Sequence, residues 1–325
     1  MPEPIRVMSF NIRFSNTADG PNRWEARREL ALRVVRDADP DIVGFQEALA
    51  SQVDEIAAAL PDYQCVGVGR DDGARAGEFV PIFFRRQRFE LVGGSHFWLS
   101  DDPHTVGTVG WDAALPRMAT WVRLRFRDRP LTEVYVLNTH FDHRGARARL
   151  ESAKLLSRTI ESLGGLPIVV MGDFNCGPGS PPYVALLNER STSAGLCDSY
   201  AVASRQAAAV AVRAGQATSG TAAPAASPDS PSPRSATSAP SPTSARSSRS
   251  AASHAQATPE RMHGTYHGFD GIADTLRIDW ILHNRRFVAD AADIIRTSAS
   301  GRYPSDHFPV TATLRLVAAT DVDGK

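Results

Sequence analysis

The number of short strand-like segments, and the way helices interrupt them, most limits the folds open to this chain. Eleven segments are apolar or alternate apolar and polar residues, as β-strands do, and three space their apolar residues as amphipathic helices do. The predicted strands are 5–11, 42–46, 63–69, 80–85, 89–99, 120–126, 132–139, 167–172, 277–282, 287–296 and 310–317, and the predicted helices are 24–38, 51–60 and 144–163. Several strands follow one another directly while others are separated by helices. We therefore expect an α/β fold of two packed sheets flanked by helices.

One stretch, at about 201–262, interrupts this pattern. Of the 60 residues from 201 to 260, 39 are Ala, Ser or Pro, and no Phe, Trp or Tyr lies between Tyr200 and Tyr266. Such a segment has too little apolar bulk to offset the entropy of ordering it, so its composition predicts disorder, with a transient helix at its Ala-rich start. Because motif-like sequence resumes beyond it, we expect residues 1–325 to form one domain with an insertion. A tolerated linker and a regulatory or docking segment both remain open.

Composition and charge argue against several classes of protein. Hydrophobic residues make up 42% of the chain and charged residues 22%, and no apolar run approaches the ~20 residues of a membrane span. The net charge is zero, with +3 in residues 201–260 and −3 elsewhere, which argues against a broad basic surface for nucleic acid. The N-terminus lacks a signal-peptide pattern, and three widely spaced cysteines favour a reducing compartment, so we expect a cytoplasmic protein.

Polar side chains lie where six of the predicted strands begin or end. They occur in FNIRF, GFQE, NTH, GDFN, RIDWIL and SDHFP, and they are Asn11, Glu47, Asn138, His140, Asp173, Asn175, Asp279, Ser305, Asp306 and His307. Functional sites are usually built where strand ends converge at one edge of a sheet. The sequence therefore predicts that these side chains form one site.

Most of these residues have a structural explanation when taken alone. Asn11 suits a turn or a cap, Glu47 suits the positive end of the helix that follows it, and Asp173 suits an Asx-turn. Asp279 is harder to explain, because it lies inside an apolar run and a buried carboxylate needs a charged or hydrogen-bonding partner. The number of such residues favours a functional interpretation.

The chemistry of the set points to a hard metal ion. Its oxygen donors include Glu47, Asp173, Asn175 and Asp306, which suit Mg²⁺ or Mn²⁺, whereas no Cys/His set has the spacing of a structural zinc site. Magnesium commonly pairs one or two carboxylates with substrate phosphate oxygens. The cofactor that we expect is therefore Mg²⁺ or Mn²⁺.

The two histidines of the set suit proton transfer and phosphate binding. His140 and His307 can donate to phosphoryl oxygens or move protons near neutral pH. A neighbouring acid is needed to fix the tautomer of such a histidine, and we expect Asp279 to do so for His307.

In their order and spacing, FNIRF, GFQE, NTHFDH, GDFN, RIDWIL and YPSDHFPV resemble the motifs of the endonuclease/exonuclease/phosphatase superfamily. The resemblance spans nearly the whole chain outside the insertion. It implies the DNase-I-like fold, a four-layer α/β-sandwich of two packed mixed β-sheets flanked by helices. It also implies metal-dependent cleavage of a P–O bond.

The resemblance further implies the role of each matching residue. Glu47 would be the principal metal ligand, Asp306 a metal-side acid, and Asn11 a holder of metal-bound water or phosphate. Asp173 and Asn175 would position the nucleophilic water and phosphate beside the metal, with Asp173 a candidate general base. The implied metal set is Asn11, Glu47, Asp173, Asn175 and Asp306, and the implied catalytic set is His140, Asp173, Asn175, Asp279 and His307.

Departures from the family pattern narrow the resemblance. The end of the SDH motif does not match inositol polyphosphate 5-phosphatases. Secreted DNases would have a second glutamate to partner His140, and Glu78 and Glu90 are only weak candidates for it. The pattern is closest to the deadenylase and nocturnin-like side and to bacterial metal-dependent hydrolases.

Loops that mix aromatic and basic residues are expected to contact the substrate. The predicted substrate-binding residues are Trp111, Arg117, Asp142, His143, Arg144, Tyr266, His267 and Phe269. The arginines and His143 suit phosphate oxygens, and the aromatic rings suit a base or a sugar. Ordinary loop packing is the alternative for each of them.

The sequence thus predicts a Mg²⁺- or Mn²⁺-dependent hydrolase of a phosphodiester or phosphomonoester, in which activated water attacks phosphorus. The expected partner is a phosphate-ester substrate such as a nucleotide or short nucleic acid, and the expected state is a monomer without a membrane span. One alternative is a nonspecific endo- or exonuclease. Another is a catalytically inactive scaffold that docks partners through the insertion.

Overall fold

Two six-stranded sheets form the body of the molecule. The computed structural model describes residues 3–163, 165–187, 195–218 and 263–317. In the first sheet the strand order is β11-β12-β1-β2-β4-β3, and in the second it is β5-β6-β7-β8-β10-β9. The strands are β1 Ile5–Asn11, β2 Ile42–Gln46, β3 Tyr63–Val66, β4 Ile82–Arg85, β5 Phe89–Trp98, β6 Met118–Phe126, β7 Arg129–His140, β8 Ile168–Asp173, β9 Cys197–Asp198, β10 Asp279–His283, β11 Phe287–Ile294 and β12 Val310–Leu316.

Each sheet has one parallel pair of strands at its centre. These pairs are β1–β2 in the first sheet and β7–β8 in the second, and all other neighbours in the sheets are antiparallel. The expectation of two mixed sheets is therefore confirmed. Strand β8 is buried on both faces, which explains its nearly continuous apolar sequence, and β1 is buried at every position except Arg6.

Helices cover the outer face of each sheet and complete four layers. The helices are α1 Trp24–Ala38, α2 Ala50–Ala59, α3 Ala146–Glu161, α4 Pro181–Leu187 and α5 Ser199–Thr218, and a short 3-10 segment spans Thr17–Asn22. Residues of α1 and α2 pack on the first sheet, and residues of α3 and α4 pack on the second. A third apolar cluster, contributed by both sheets, lies between them. Among the described helices, none is both long and apolar enough to cross a bilayer.

The structure shows a helix at the start of the predicted insertion. Residues 201–218, for which we expected disorder with a transient helix, belong to α5. Asp198 Oδ1 accepts a hydrogen bond from Tyr200 N at 3.0 Å, and Tyr200 and Val202 pack against the cluster between the sheets. Alanine is the strongest helix former, so a capped and anchored start supports a helix in this composition. Residues 219–262 of the predicted insertion lie outside the described residues.

Asn138 joins the two sheets rather than entering the site. Its Nδ2 donates to Phe45 O at 2.7 Å and Pro81 O at 2.9 Å, and its Oδ1 accepts from Gln46 Nε2 at 2.6 Å. Gly44 makes room for it, because a Cβ there would lie 2.7 Å from Asn138 Cγ. The polar residue in the NTH motif is thus structural, with its hydrogen bonds made inside the protein.

Candidate active site

The polar residues at the predicted strand ends lie at one shared edge of the two sheets. The parallel strands β1, β2, β7 and β8 deliver Asn11, Glu47, His140 and Asp173 at their carboxyl ends. Strand β10 runs antiparallel to β8 and β12 runs antiparallel to β1, so their amino ends bring Asp279, Asp306 and His307 to the same edge. We call the following residues the floor: Asn11, Glu47, His140, Asp173, Asn175, Asp279, Asp306 and His307.

Asn11 links the two sheets across the floor. Its Nδ2 lies 3.0 Å from both Glu47 Oε1 and Asp173 Oδ2 and 3.5 Å from His307 Nε2, and its Oδ1 accepts from Arg13 N at 3.0 Å. These partners fix the amide with its N–H groups towards the carboxylates. Asn11 was expected to help hold metal-bound water or phosphate, and in the structure its oxygen accepts from Arg13 N while its nitrogen donates to the two carboxylates.

Glu47 and Asp306 bring negative charge to the first-sheet side of the floor. Glu47 Oε2 accepts from Phe14 N at 3.3 Å and lies 3.8 Å from Arg13 Nη1, while Asp306 Oδ2 lies 3.9 Å from Arg13 Nε. Burial raises the pKa of Asp306, and the nearby charge of Glu47 adds to this shift. Arg13 was missed in the sequence, although it follows Asn11 by two positions in FNIRF.

Asp279 and His307 form a buried hydrogen-bonded pair. His307 Nδ1 lies 2.9 Å from Asp279 Oδ2, while the backbone N–H of Asp279 donates to Thr265 Oγ1 at 3.2 Å. Burial alone would lower the pKa of His307, but the charges of Asp279 and Asp173 outweigh it and hold that pKa well above the usual value. The acid thus leaves the Nε2 atom of His307 for the cleft, as expected from the sequence.

Asp173, Asn175 and His140 form the second-sheet side of the floor. Asp173 Oδ1 accepts from Asn175 N at 2.9 Å, Asp173 Oδ2 lies 3.5 Å from His140 Nε2, and Asn175 Nδ2 lies 3.1 Å from His140 Nε2. Burial, followed by the charge of Asp279, raises the pKa of Asp173 to about 7. Burial together with Arg117 and Arg70 lowers the pKa of His140 well below its usual value.

Two floor residues are held in an uncommon backbone conformation. Glu47 has φ 62° and Asn175 has φ 50°, in the left-handed region. Each such conformation costs roughly 1–3 kcal/mol and persists where the surrounding structure holds it, most often at functional sites. Two of the motif positions are therefore held by the surrounding structure in a conformation that is uncommon elsewhere.

The sequence profile of the Endonuclease/Exonuclease/phosphatase family matches residues 8–307, which include the whole floor. The chain belongs to this family. The resemblance of the motifs is thereby confirmed, and so is the DNase-I-like fold.

Relatives of known structure in this family share the complete fold. An endonuclease/exonuclease/phosphatase from Bacteroides vulgatus is 30% identical, covers 97% of this chain and 100% of its own, and has a TM-score of 0.75. The mannosyl-6-phosphatase Bt3783 of Bacteroides thetaiotaomicron is 29% identical, covers 96% of this chain and 100% of its own, and has a TM-score of 0.72.

Among the curated relatives is Nocturnin of Drosophila melanogaster. It is 27% identical over 211 residues, which cover 57% of this chain and 31% of Nocturnin. The chain thus spans less than a third of that relative's length. The family resemblance to nocturnin-like proteins is confirmed at the level of the shared domain.

The donor set of this family member fits a divalent cation. One donor atom from each of Glu47, His140 and Asp173 lies within 4.8 Å of the others, and a second such group is Asp173, Asp279 and His307. In the second group Asp279 is already hydrogen-bonded to His307, so the first group is the better cation site. A cation there would offset the burial and the charge of Asp279, which together raise the pKa of Asp173.

A cleft of about 710 Å³ opens above the floor. Of the predicted substrate-binding residues, Arg117, His143 and Tyr266 line it. Trp111, Asp142, Arg144, His267 and Phe269 lie outside its lining, and their predicted role in substrate binding stays a prediction. Loop position alone did not reveal which of these side chains point inward, because loops lack the periodicity of helices and strands.

Asp142 holds Arg117 instead of facing the cleft. It is 1% exposed, its Oδ1 accepts from Arg144 N at 2.9 Å and Gly145 N at 2.7 Å, and its Oδ2 accepts from Ala114 N at 3.1 Å and Arg117 Nε at 3.5 Å. Its acceptor capacity is thus used within the protein, which leaves it the task of positioning Arg117 in the cleft wall.

His267 is likewise part of the packing around the site. Its ring stacks on Phe308 with centroids 4.0 Å apart, and its backbone N–H donates to Asp306 O at 2.8 Å. Burial lowers the pKa of His267 to about 4. It therefore supports the segment that carries Asp306 and His307.

Glu78 was one of two weak candidates in the sequence for a glutamate that partners His140. Its Oε2 lies 3.9 Å from His140 Nδ1 and 2.7 Å from Arg70 Nη1, and it lines the cleft. Burial raises the pKa of Glu78. Glu90, the other weak candidate, lies on β5 and pairs with Arg125 at the surface. A structure was needed to choose between them, because neither glutamate lies in a distinctive motif.

Proposed function

We propose that this protein is a Mg²⁺- or Mn²⁺-dependent phosphohydrolase in which water attacks the phosphorus of a small phosphate ester. The observation that carries the proposal is the position of Asp173, which lies among Asn11, His140 and His307 at the convergence of the two sheets. Membership of a family that acts on phosphoesters supports it.

The proposed roles follow from the hydrogen bonds of the floor. Glu47 and Asp173 would hold the cation, with His140 or water completing the site, and Asn11, whose amide nitrogen donates to both carboxylates, would hold them in position. A bound divalent cation supplies charge neutralisation at the phosphate and acidifies water. Asp173, which lies beside His140 and His307, would also accept a proton from that water.

His307 and His140 would contribute in different protonation states. Because Asp279 holds Nδ1 of His307 and keeps its pKa high, His307 would donate from Nε2 to a phosphoryl or leaving-group oxygen. His140 has a lowered pKa and is neutral in this proposal. In this neutral form, His140 would interact through the lone pair of one ring nitrogen or the N–H group of the other, and it would carry no positive charge.

Sugar phosphates are the first substrates to test. A mannosyl-6-phosphatase is 29% identical and covers 96% of the chain, and a cleft of about 710 Å³ has the size of a small-molecule site. The nuclease alternative has weaker support, because the charge outside residues 201–260 is −3 and a nucleic-acid surface would be basic.

The test is a turnover screen of the purified full chain with and without Mg²⁺ or Mn²⁺. The panel contains sugar phosphates, DNA, RNA, poly(A), NADPH, phosphoinositides and a chromogenic diester. We expect turnover of at least one small ester, lost on chelation and lowered about 10³-fold by Asp173→Asn. Asp37→Asn, an exposed change on α1, is the matched control and should retain full activity.

The outcomes separate the alternatives. Turnover of polymers alone would favour the nuclease. Metal binding by calorimetry without any turnover would favour the scaffold, and full activity of Asp173→Asn would reject the proposed mechanism.

A further inference from the structure

The cleft combines a charged floor with an apolar rim. Nine large apolar side chains are exposed in the described part of the chain, and three of them line this cleft. They are Leu115 at 37% exposure, Tyr266 at 39% and Leu276 at 51%. We call these three residues the rim. The carboxylate of Asp274 also lines the cleft. A clustering of exposed apolar groups around a catalytic cleft indicates that something apolar binds there.

The rim lies next to the proposed proton donor. The ring of Tyr266 contacts His307 edge-on with centroids 5.1 Å apart, and the two residues also form a β-bridge. Leu276 lies over Gly177, where an added Cβ would come within 2.8 Å of Leu276 Cδ2. Because Gly177 has no side chain, Leu276 can pack against the segment that follows β8.

The charges of the cleft argue against a second phosphate. Its lining contains five carboxylates and, in the described part of the chain, two guanidinium groups. The carboxylates are Glu47, Glu78, Asp173, Asp274 and Asp306. Together with the two guanidinium groups, even two divalent cations would supply no more positive charge than these acids and the scissile phosphate require, which leaves none for a further anion.

Both guanidinium groups are bonded within the protein, although Nη1 of Arg117 has no hydrogen-bond partner among the described residues. Arg13 donates to Asp19 at 3.1 Å and 3.2 Å and lies within 4.0 Å of Glu47 and Asp306. Arg117 is 5% exposed and bonded to Asp142 and to His143 Nδ1 at 3.0 Å. Neither resembles the group of exposed basic residues that polyphosphate or nucleic-acid sites display.

From the apolar rim and the acidic balance together, we infer that the substrate carries one phosphate group on an alcohol with an apolar or C–H-rich face, such as a sugar ring or a nucleoside. The alcohol lies against Leu115, Tyr266 and Leu276 while its phosphate reaches the floor. Asp274 repels a second phosphate at the rim. This inference rests on the proposed phosphohydrolase function and names its substrate class.

The first experiment adds a second phosphate to a substrate that the enzyme hydrolyses. Pairs such as glucose 6-phosphate with glucose 1,6-bisphosphate, and AMP with adenosine 3′,5′-bisphosphate, keep the alcohol constant. We expect the second phosphate to lower kcat/KM about tenfold at low salt. The penalty should shrink in about 1 M KCl, where the Debye length is about 3 Å.

Variants locate the repulsion. Asp274→Asn should reduce the bisphosphate penalty about threefold. The same change at Asp270, an exposed acid of the same segment that does not line the cleft, should leave it unaltered. Equal or faster turnover of the bisphosphates by the wild type would overturn the inference while leaving the phosphohydrolase function intact.

The second experiment measures the rim without any bond cleavage. Benzylphosphonate and methylphosphonate have the same charge and no scissile ester, so the difference between their inhibition constants reports apolar contact. We expect the wild type to bind benzylphosphonate about tenfold more tightly than methylphosphonate. In Leu276→Ala this preference should fall by about threefold. Ile272→Ala, at a 58% exposed residue that does not line the cleft, should lose none of it. Equal binding of the two phosphonates to the wild type would reject the apolar site, whereas absence of turnover with every ester would reject the phosphohydrolase itself.

Discussion

The floor and the rim of the cleft are built from different parts of the fold. The floor residues lie at or next to strand ends, are largely buried and are joined by direct hydrogen bonds, as between Asn11 and Asp173 at 3.0 Å. The rim residues Leu115, Tyr266 and Leu276 lie between strands and are 37–51% exposed. Chemistry thus depends on a rigid scaffold, and substrate choice depends on loops.

The largest effect is expected from a floor residue that touches no substrate. Asp279→Asn removes the charge that holds His307 Nδ1 at 2.9 Å and leaves a side chain of the same shape. A wrong tautomer or lost protonation of the histidine should lower kcat by about 10³- to 10⁴-fold, with little change in KM. Steady-state kinetics and a melting curve separate this effect from misfolding.

The control for Asp279→Asn is Asp290→Asn. Asp290 pairs with Arg315 at the surface, 2.8 Å away, so its loss should cost no activity. If Asp279→Asn kept kcat within about threefold of the wild type, the Asp279–His307 hydrogen bond would contribute to packing and not to catalysis.

The floor could be predicted from the sequence because strand periodicity fixes where its residues lie. A strand such as β8 ends at Asp173, and the parallel strand β7 ends at His140 in register with it. Asn138 shows the limit of this reasoning. It has the same polar character at a strand end, but it bonds to Phe45 O and Pro81 O between the sheets, and the register of the opposite sheet is not visible in the motif.

An intermediate effect is expected where the floor meets the cleft wall. Asp142→Asn weakens the contact with Arg117 Nε and leaves Arg117 free to turn away from the cleft. Loss of such a supporting residue should lower kcat/KM about 10- to 100-fold, mainly through KM. Kinetics with a monophosphate ester provide the measurement.

Asp112→Asn is the matched control for this change. Like Asp142, Asp112 accepts backbone N–H groups at the start of α3, including Ala148 N at 2.6 Å, but it does not line the cleft or bind Arg117. Both variants should lose a similar amount of thermal stability, and only Asp142→Asn should raise KM. An equal rise in KM for both would mean that the helix start, rather than Arg117, is the common cause.

Of the rim residues, only Tyr266 was among the predicted substrate-binding residues, because no periodicity fixes the direction of a loop side chain. Tyr266 and His267 are adjacent, yet Tyr266 lines the cleft while His267 stacks on Phe308. Leu276 gave no signal at all, since an exposed leucine in a loop is common. Only the closeness of these residues to the floor, which depends on the complete fold, gives them a function.

The smallest effect is expected at Tyr266, and it tests whether rim and floor act independently. Tyr266→Phe keeps the ring beside His307 and should change kcat/KM by less than about twofold, while Tyr266→Ala should raise KM about threefold with kcat retained. A fall in kcat for Tyr266→Ala would show that the ring also orients His307. A loss in Tyr266→Phe equal to that in Tyr266→Ala would assign the effect to the hydroxyl group, and the rim would then bind its ligand by hydrogen bonding rather than by apolar contact.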